Sequence, residues 1–220
     1  MSARTRIKIC GLTREADVAV AADAGADAIG FVLYAKSPRH VALDRAVQLA
    51  QGLPPFVTPV LLFVNALPSD IKKACKAMPQ ALLQFHGDES PADCDAANRT
   101  YLRAVRMGAG VDLLDCAHRF SNAAALLLDA HVESYGGGGK RFDWSLISPA
   151  VAHAIRTPLV LSGGLSPANV IDGVLAVRPY AVDVSSGVEA GDKGIKDATL
   201  IRRFCEAVRE ADARLADLAN

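Results

Sequence analysis

A chain of 220 residues, 51% apolar and 22% charged, is long enough for one sizeable core and reads as a soluble globular protein. Lysine plus arginine matches aspartate plus glutamate at 24 each, so no overall field favours nucleic acid or an anionic membrane, although a local cationic site stays open. Five scattered cysteines, Cys10, Cys75, Cys94, Cys116 and Cys205, form an odd set with no CxxC pair, which fits a reducing, cytoplasmic setting better than a disulfide framework.

Short apolar, β-branched runs recur along the chain with helical patterns between them, as repeated βα units around a parallel sheet require. They are Arg6–Cys10, Ala28–Leu33, Pro59–Val64, Ala81–His86, Tyr101–Arg106, Ala125–Asp129, Pro158–Ser162 and Tyr180–Ser185. Three helices have marked starts, Ser90 before Pro91, Ser148 before Pro149 and Ser166 before Pro167, each a capping hydroxyl followed by a proline that has no N–H to lose. In the last helix Ile201, Phe204, Cys205, Val208 and Leu215 fall on one face. Eight such units in this length predict an α/β fold, a single (β/α)8 TIM barrel filling one domain over residues 1–220. An open doubly wound sheet is the alternative. Neither a secretory leader nor an apolar run of membrane-spanning length is legible, so no membrane partner is expected.

A barrel works at the carboxyl end of its strands. Cys10 closes the first strand, and Asp129 closes the sixth after a wholly apolar run, too far from the next helix to serve as its cap. After strand seven, Gly163 and Gly164 let backbone approach a ligand, and the helix expected from Ser166 offers N-terminal amides to a phosphate. Ser185, Ser186 and Gly187 add hydroxyls and amides from the neighbouring strand. Together the two loops predict a phosphate-bearing small molecule. His86 ends strand four as a candidate ligand or acid-base group, with no HxH or HExxH spacing beside it, so no metal is expected. Arg39, after strand two, is either solvated surface or a carboxylate clamp. Lys8, two residues before Cys10, lies lower in the barrel and is expected to pair with Asp183 rather than to help the thiol. The run from Tyr135 to Lys140 fails as a P-loop, because Ser134 and Arg141 stand where the pattern needs other residues; a flexible lid over Gly136–Lys140 is the better reading.

The segments KICG (Lys8–Gly11), GADAIGFV (Gly25–Val32), KSPR (Lys36–Arg39), FVN (Phe63–Asn65), QFHG (Gln84–Gly87), LLLD (Leu126–Asp129), FDW (Phe142–Trp144), LSGGL (Leu161–Leu165) and VDVSSGVE (Val182–Glu189) occur in one order along the chain. In that order the sequence resembles the phosphoribosylanthranilate isomerase family. The resemblance implies a (β/α)8 barrel, no cofactor, and an Amadori rearrangement of N-(5-phosphoribosyl)anthranilate in tryptophan biosynthesis. It assigns the general base to Cys10 and the general acid to Asp129. It sets Arg39 near the anthranilate carboxylate, and Gly164 with Ser185–Gly187 around the phosphate. The His86 motif agrees without specifying a direct catalytic role. Gly138 replaces a common serine or threonine, and Arg141 a frequent threonine, which bears on lid closure alone.

For that chemistry Cys10 must be a thiolate, so positive groups or backbone dipoles are expected to lower its pKa, whereas that of Asp129 must rise. A histidine-pathway aldose-ketose isomerase on the same barrel would carry an aspartate in place of Cys10. A non-catalytic metabolite sensor would keep the phosphate loops and lose the acid and base. Monomer and homodimer are both compatible with the sequence.

Overall fold

The computed structural model describes residues 4–130, 142–147 and 149–218, and in it eight parallel strands close into a barrel in chain order. They are β1 (Arg6–Cys10), β2 (Ala28–Val32), β3 (Thr58–Phe63), β4 (Leu82–Phe85), β5 (Tyr101–Met107), β6 (Ala125–Ala130), β7 (Leu159–Leu161) and β8 (Ala181–Val184). Each is followed by a helix: α1 (Glu15–Asp23), α2 (Leu43–Ala50), α3 (Pro68–Ala77), α4 (Pro91–Asp95), α5 (Leu113–Arg119), α6 (Pro149–Ala154), α7 (Val170–Val177) and α8 (Ala198–Asp217). Every strand read from the sequence is present, with ends that differ by at most one residue. Asp129 is accordingly the penultimate residue of β6, and His86 follows β4.

Alternation along the strands divides the core. Outward residues such as Ile9, Phe31, Leu61 and Phe85 join the face of α8 formed by Ile201, Phe204, Cys205 and Val208. Each large side chain so buried stabilises the fold by roughly 1.5–3 kcal/mol. Inward residues in the lower barrel are Val60, Leu102, Leu127 and Val160 with the small Ala104, Ala125 and Ala181. Higher up the interior turns polar: Lys8, Gln84, His86, Asp129, Ser162 and Asp183 are all buried there. That division puts chemistry at one end of the barrel and packing at the other.

Helix starts are mixed against expectation. Ser90 forms a capping box with Asp93, its hydroxyl accepting from the Asp93 N–H at 3.2 Å while the Asp93 carboxylate accepts from the Ser90 N–H at 2.9 Å. Ser148 lies outside the described residues. The helix expected from Ser166 and Pro167 begins later, at Val170. A turn intervenes because the Asn169 side chain accepts from the Ser166 N–H at 2.8 Å and donates to the Gly164 carbonyl at 2.9 Å.

Candidate active site

Cys10 ends β1 facing into the barrel mouth, level with Gly30 of β2 in the ladder. A Cβ on Gly30 would come within 2.6 Å of the Cys10 sulfur, so only glycine leaves room for the thiol. On the next residue, Gly11 has φ +73°, and a Cβ there would come within 2.6 Å of the Arg39 Cδ. Two glycines thus fit the first and second strands around Cys10 and Arg39.

The expectation for the thiol is corrected. Burial pushes the Cys10 pKa up, and the Lys8 ammonium on the same strand face pulls it down without reversing the shift. Lys8 pairs with Asp183 at 2.6 Å, as anticipated, and Ser162 donates to the other Asp183 oxygen at 3.2 Å. Contrary to expectation, however, Lys8 does act on Cys10, because both side chains are withdrawn from water and Coulomb forces there are weakly screened.

On the far wall, Asp129 uses both carboxylate oxygens. One accepts from the Ala130 N–H at 2.9 Å, and the other meets His86 Nε2 at 3.0 Å. His86 Nδ1 in turn meets Gln84 Nε2 at 2.9 Å. With the amide nitrogen as donor, Nδ1 accepts and Nε2 carries the proton toward Asp129. The Gln84 Oε1 is buried with no partner among the described residues, so among them the amide is held at its nitrogen alone. Behind His86, Glu89 accepts from the N–H groups of Asn65 and Gly87 at 2.7 and 2.8 Å and from Arg103 at 2.8 Å, fastening the loop after β4.

Arg39 is buried rather than solvated. Its Nε and Nη2 both donate to Glu189 at 2.7 Å, and Nη1 makes no hydrogen bond to a described residue. Gly163 (φ +76°) and Gly164 (φ +67°) turn the chain after β7; a Cβ on Gly163 would lie 2.5 Å from the Ala130 nitrogen and 3.1 Å from Asp129 Oδ1. Gly187 is a contact point of the two loops, since a Cβ there would overlap the Leu165 carbonyl at 1.9 Å. The amide that a helix beginning at Ser166 would have offered is taken by Asn169. The N–H groups of Gly164, Leu165, Ser186 and Gly187 have no acceptor among the described residues. The loop Gly136–Lys140, with Gly138 and Arg141, lies outside those residues.

The family model described as N-(5'phosphoribosyl)anthranilate (PRA) isomerase matches residues 7–207. The chain belongs to this family. Among isomerases of the family, that of Methylibium petroleiphilum is 68% identical over 97% of this chain and 98% of its own length. The crystal structure of the Thermotoga maritima isomerase superposes with a TM-score of 0.85 at 39% identity, covering 94% of this chain and 99% of that one. A further isomerase structure, with TM-score 0.82, 38% identity and the same coverage, was solved in complex with reduced 1-(o-carboxyphenylamino)-1-deoxyribulose 5-phosphate.

Several residues of the site escaped the sequence reading. Gly30 and Glu189 lie inside quoted segments yet show their roles only through contacts across the barrel. Gln84 carried a usable signal, an amide interrupting an apolar strand two residues before His86 and therefore on the same face. Lys196 and Asn169 carried none.

Proposed function

We propose that the chain catalyses the Amadori rearrangement of N-(5-phosphoribosyl)anthranilate to 1-(2-carboxyphenylamino)-1-deoxyribulose 5-phosphate, without a cofactor. One observation carries the reading: a buried thiol on β1 and a buried carboxyl on β6 both enter the same barrel mouth, beside two glycine turns whose N–H groups have no acceptor among the described residues.

Asp129 protonates the furanose oxygen, the C1–O bond breaks, and nitrogen supplies the electron pair that forms the iminium. Cys10, as thiolate, removes the C2 proton; the C2–H electrons form the C1–C2 double bond of an enolamine, and the iminium electrons return to nitrogen. Tautomerisation gives the ketone and returns the protons. His86, bound between Gln84 and Asp129, orients the acid toward the ring oxygen; in this reading it contacts the substrate's sugar hydroxyls from the same place. Arg39 receives the anthranilate carboxylate on the side of Nη1, which has no acceptor among the described residues. Gly163 and Gly164, with Ser185, Ser186 and Gly187, hold the phosphate by backbone N–H groups and hydroxyls. The rise in the Cys10 pKa on burial means that only a small thiolate fraction exists at neutral pH, and the Lys8 ammonium, with a smaller contribution from Lys196, opposes that rise.

All five cysteines are free thiols, which supports a cytoplasmic enzyme acting as one barrel domain, as monomer or homodimer. No helix among the described residues is long and apolar enough to cross a membrane.

The test follows anthranilate-type fluorescence with substrate formed in situ. Cys10→Ala and Asp129→Asn are each expected to lower turnover at least about a hundredfold while retaining affinity for the reduced product analogue. Full activity in either variant removes that residue from the mechanism, and analogue binding without any turnover in the unaltered protein identifies a sensor instead.

A further inference from the structure

Arg39 belongs to a larger charge cluster. The Glu189 oxygen that accepts from Arg39 Nε also accepts from Lys196 Nζ at 3.0 Å and from the Gly194 N–H at 2.9 Å. The Lys196 ammonium further donates to the Ser185 carbonyl at 2.9 Å and hydroxyl at 3.3 Å. Its side chain is 0% exposed, and those of Glu189 and Arg39 are 5% and 6% exposed. Burial pushes the Glu189 carboxyl up, but the Arg39 hydrogen bond and the Lys196 charge overcome this and hold it below the ordinary range.

Two cations therefore share one carboxylate away from water. Among the described residues the other ion pairs near the cluster are matched, Lys8 with Asp183 and Arg14 with Asp17. The cluster is left with one surplus positive charge, which is costly in a desolvated site unless an anion arrives to meet it. Arg39 Nη1 is the end of the cluster with no acceptor among the described residues. Lys196, through Ser185 on one side and Glu189 on the other, also joins the strand-eight turn to the guanidinium.

Resting on the carboxylate-clamp reading of Arg39, we infer that Lys196 and Glu189 are positioning residues that set the specificity of the site for an anionic ring substituent: Glu189 aims the guanidinium, and Lys196 supplies the surplus charge that an aryl carboxylate must neutralise. A neutral aryl ligand leaves that charge unmatched and is rejected. Such selection by an unsatisfied partner is stronger than selection by shape.

The experiment measures calorimetric affinities for two probes, reduced 1-(o-carboxyphenylamino)-1-deoxyribulose 5-phosphate and its counterpart lacking the carboxyl group. The unaltered protein is expected to prefer the carboxylated probe. In Lys196→Gln, which keeps a hydrogen-bond donor and brings the cluster to neutrality, that preference is expected to fall about tenfold. In the double variant Glu189→Gln with Lys196→Gln, the surplus returns to one positive charge, and the preference is expected to recover to within about threefold of the original. A merely structural role predicts a double variant worse than the single one, so that result overturns the inference. Equal weakening of both probes in Lys196→Gln, or an unchanged preference, also overturns it while sparing the carboxylate clamp. No preference in the unaltered protein overturns the clamp and the inference together. If Lys196→Gln does not fold, Lys196→Met, of similar length and equally uncharged, is read in the same way.

Discussion

Gly30→Ala is the smallest change that tests how the barrel makes room for its base. The added methyl would stand 2.6 Å from the Cys10 sulfur, 3.1 Å from its Cα and 3.2 Å from its Cβ. Ordinary non-bonded contact between heavy atoms lies at about 3.5–4 Å, so the sulfur must move by about an ångström. The main chain cannot follow, because Lys8 and Ile9 are paired with Ala28 and Ile29 immediately below. The thiol therefore rotates to another rotamer or the two strands part. Overpacking of this kind costs about 1–3 kcal/mol, which for a protein of this size lowers Tm by about 2–12 °C. A displacement of about an ångström at a reacting group costs on the order of a hundredfold in rate. Thermal unfolding by circular dichroism and fluorescence kinetics separate the two effects: kcat should fall about a hundredfold, with KM nearly unchanged because Arg39 and the phosphate loops are untouched. Adding Cys10→Ala should recover the stability and none of the activity, the signature of direct contact between the two sites. A Gly30→Ala enzyme with normal kcat would refute the argument that the glycine exists to seat the sulfur.

Two further outcomes follow from the walls of the site. Gln84→Met removes the donor to His86 Nδ1 at nearly constant volume, so His86 loses its fixed tautomer and the aim of Asp129; kcat should drop about three- to tenfold with KM steady, on the scale of one neutral hydrogen bond. A steady-state comparison that shows an unchanged kcat counts against the relay from Gln84 to Asp129. The raised pKa of Cys10 fixes the sign of the pH dependence, since the base is active only when deprotonated. In Asp129→Asn, where no carboxyl titrates against the thiol, the residual log kcat/KM should climb by about one unit per pH unit through neutrality, and a profile already flat at pH 7 in that variant would show that the thiol is ionised in the free enzyme.

What the sequence made legible was whatever local chemistry writes into consecutive residues. Strand and helix periods needed only the alternation of apolar and polar positions, and eight repeats of one pattern left the closed barrel as the economical solution. Cys10, Asp129, Gly163 and Ser185 stood out because each is chemically odd where a strand turns into a loop. The sign of the Cys10 shift was missed for a related reason: the positive Lys8 is visible two residues away, whereas the depth of burial that outweighs it depends on neighbouring strands. Asn169 shows the same limit. Its side chain displaces a helix start that Ser166 and Pro167 signal correctly by local rules, and the competing hydrogen bond to Gly164 exists only once the two glycines have turned the chain back. Glu189, Gly30 and Lys196 are the fullest case, since a glutamate in a loop, a glycine in a strand and a lysine before a helix each have ordinary local readings. Their roles come from closing strand eight against strand one, with strand two on its other side, which sets a cation from residue 196 beside a cation from residue 39. Catalytic groups can thus be legible while the residues that aim and charge them are not, because the former are distinguished by reactivity and the latter only by distance.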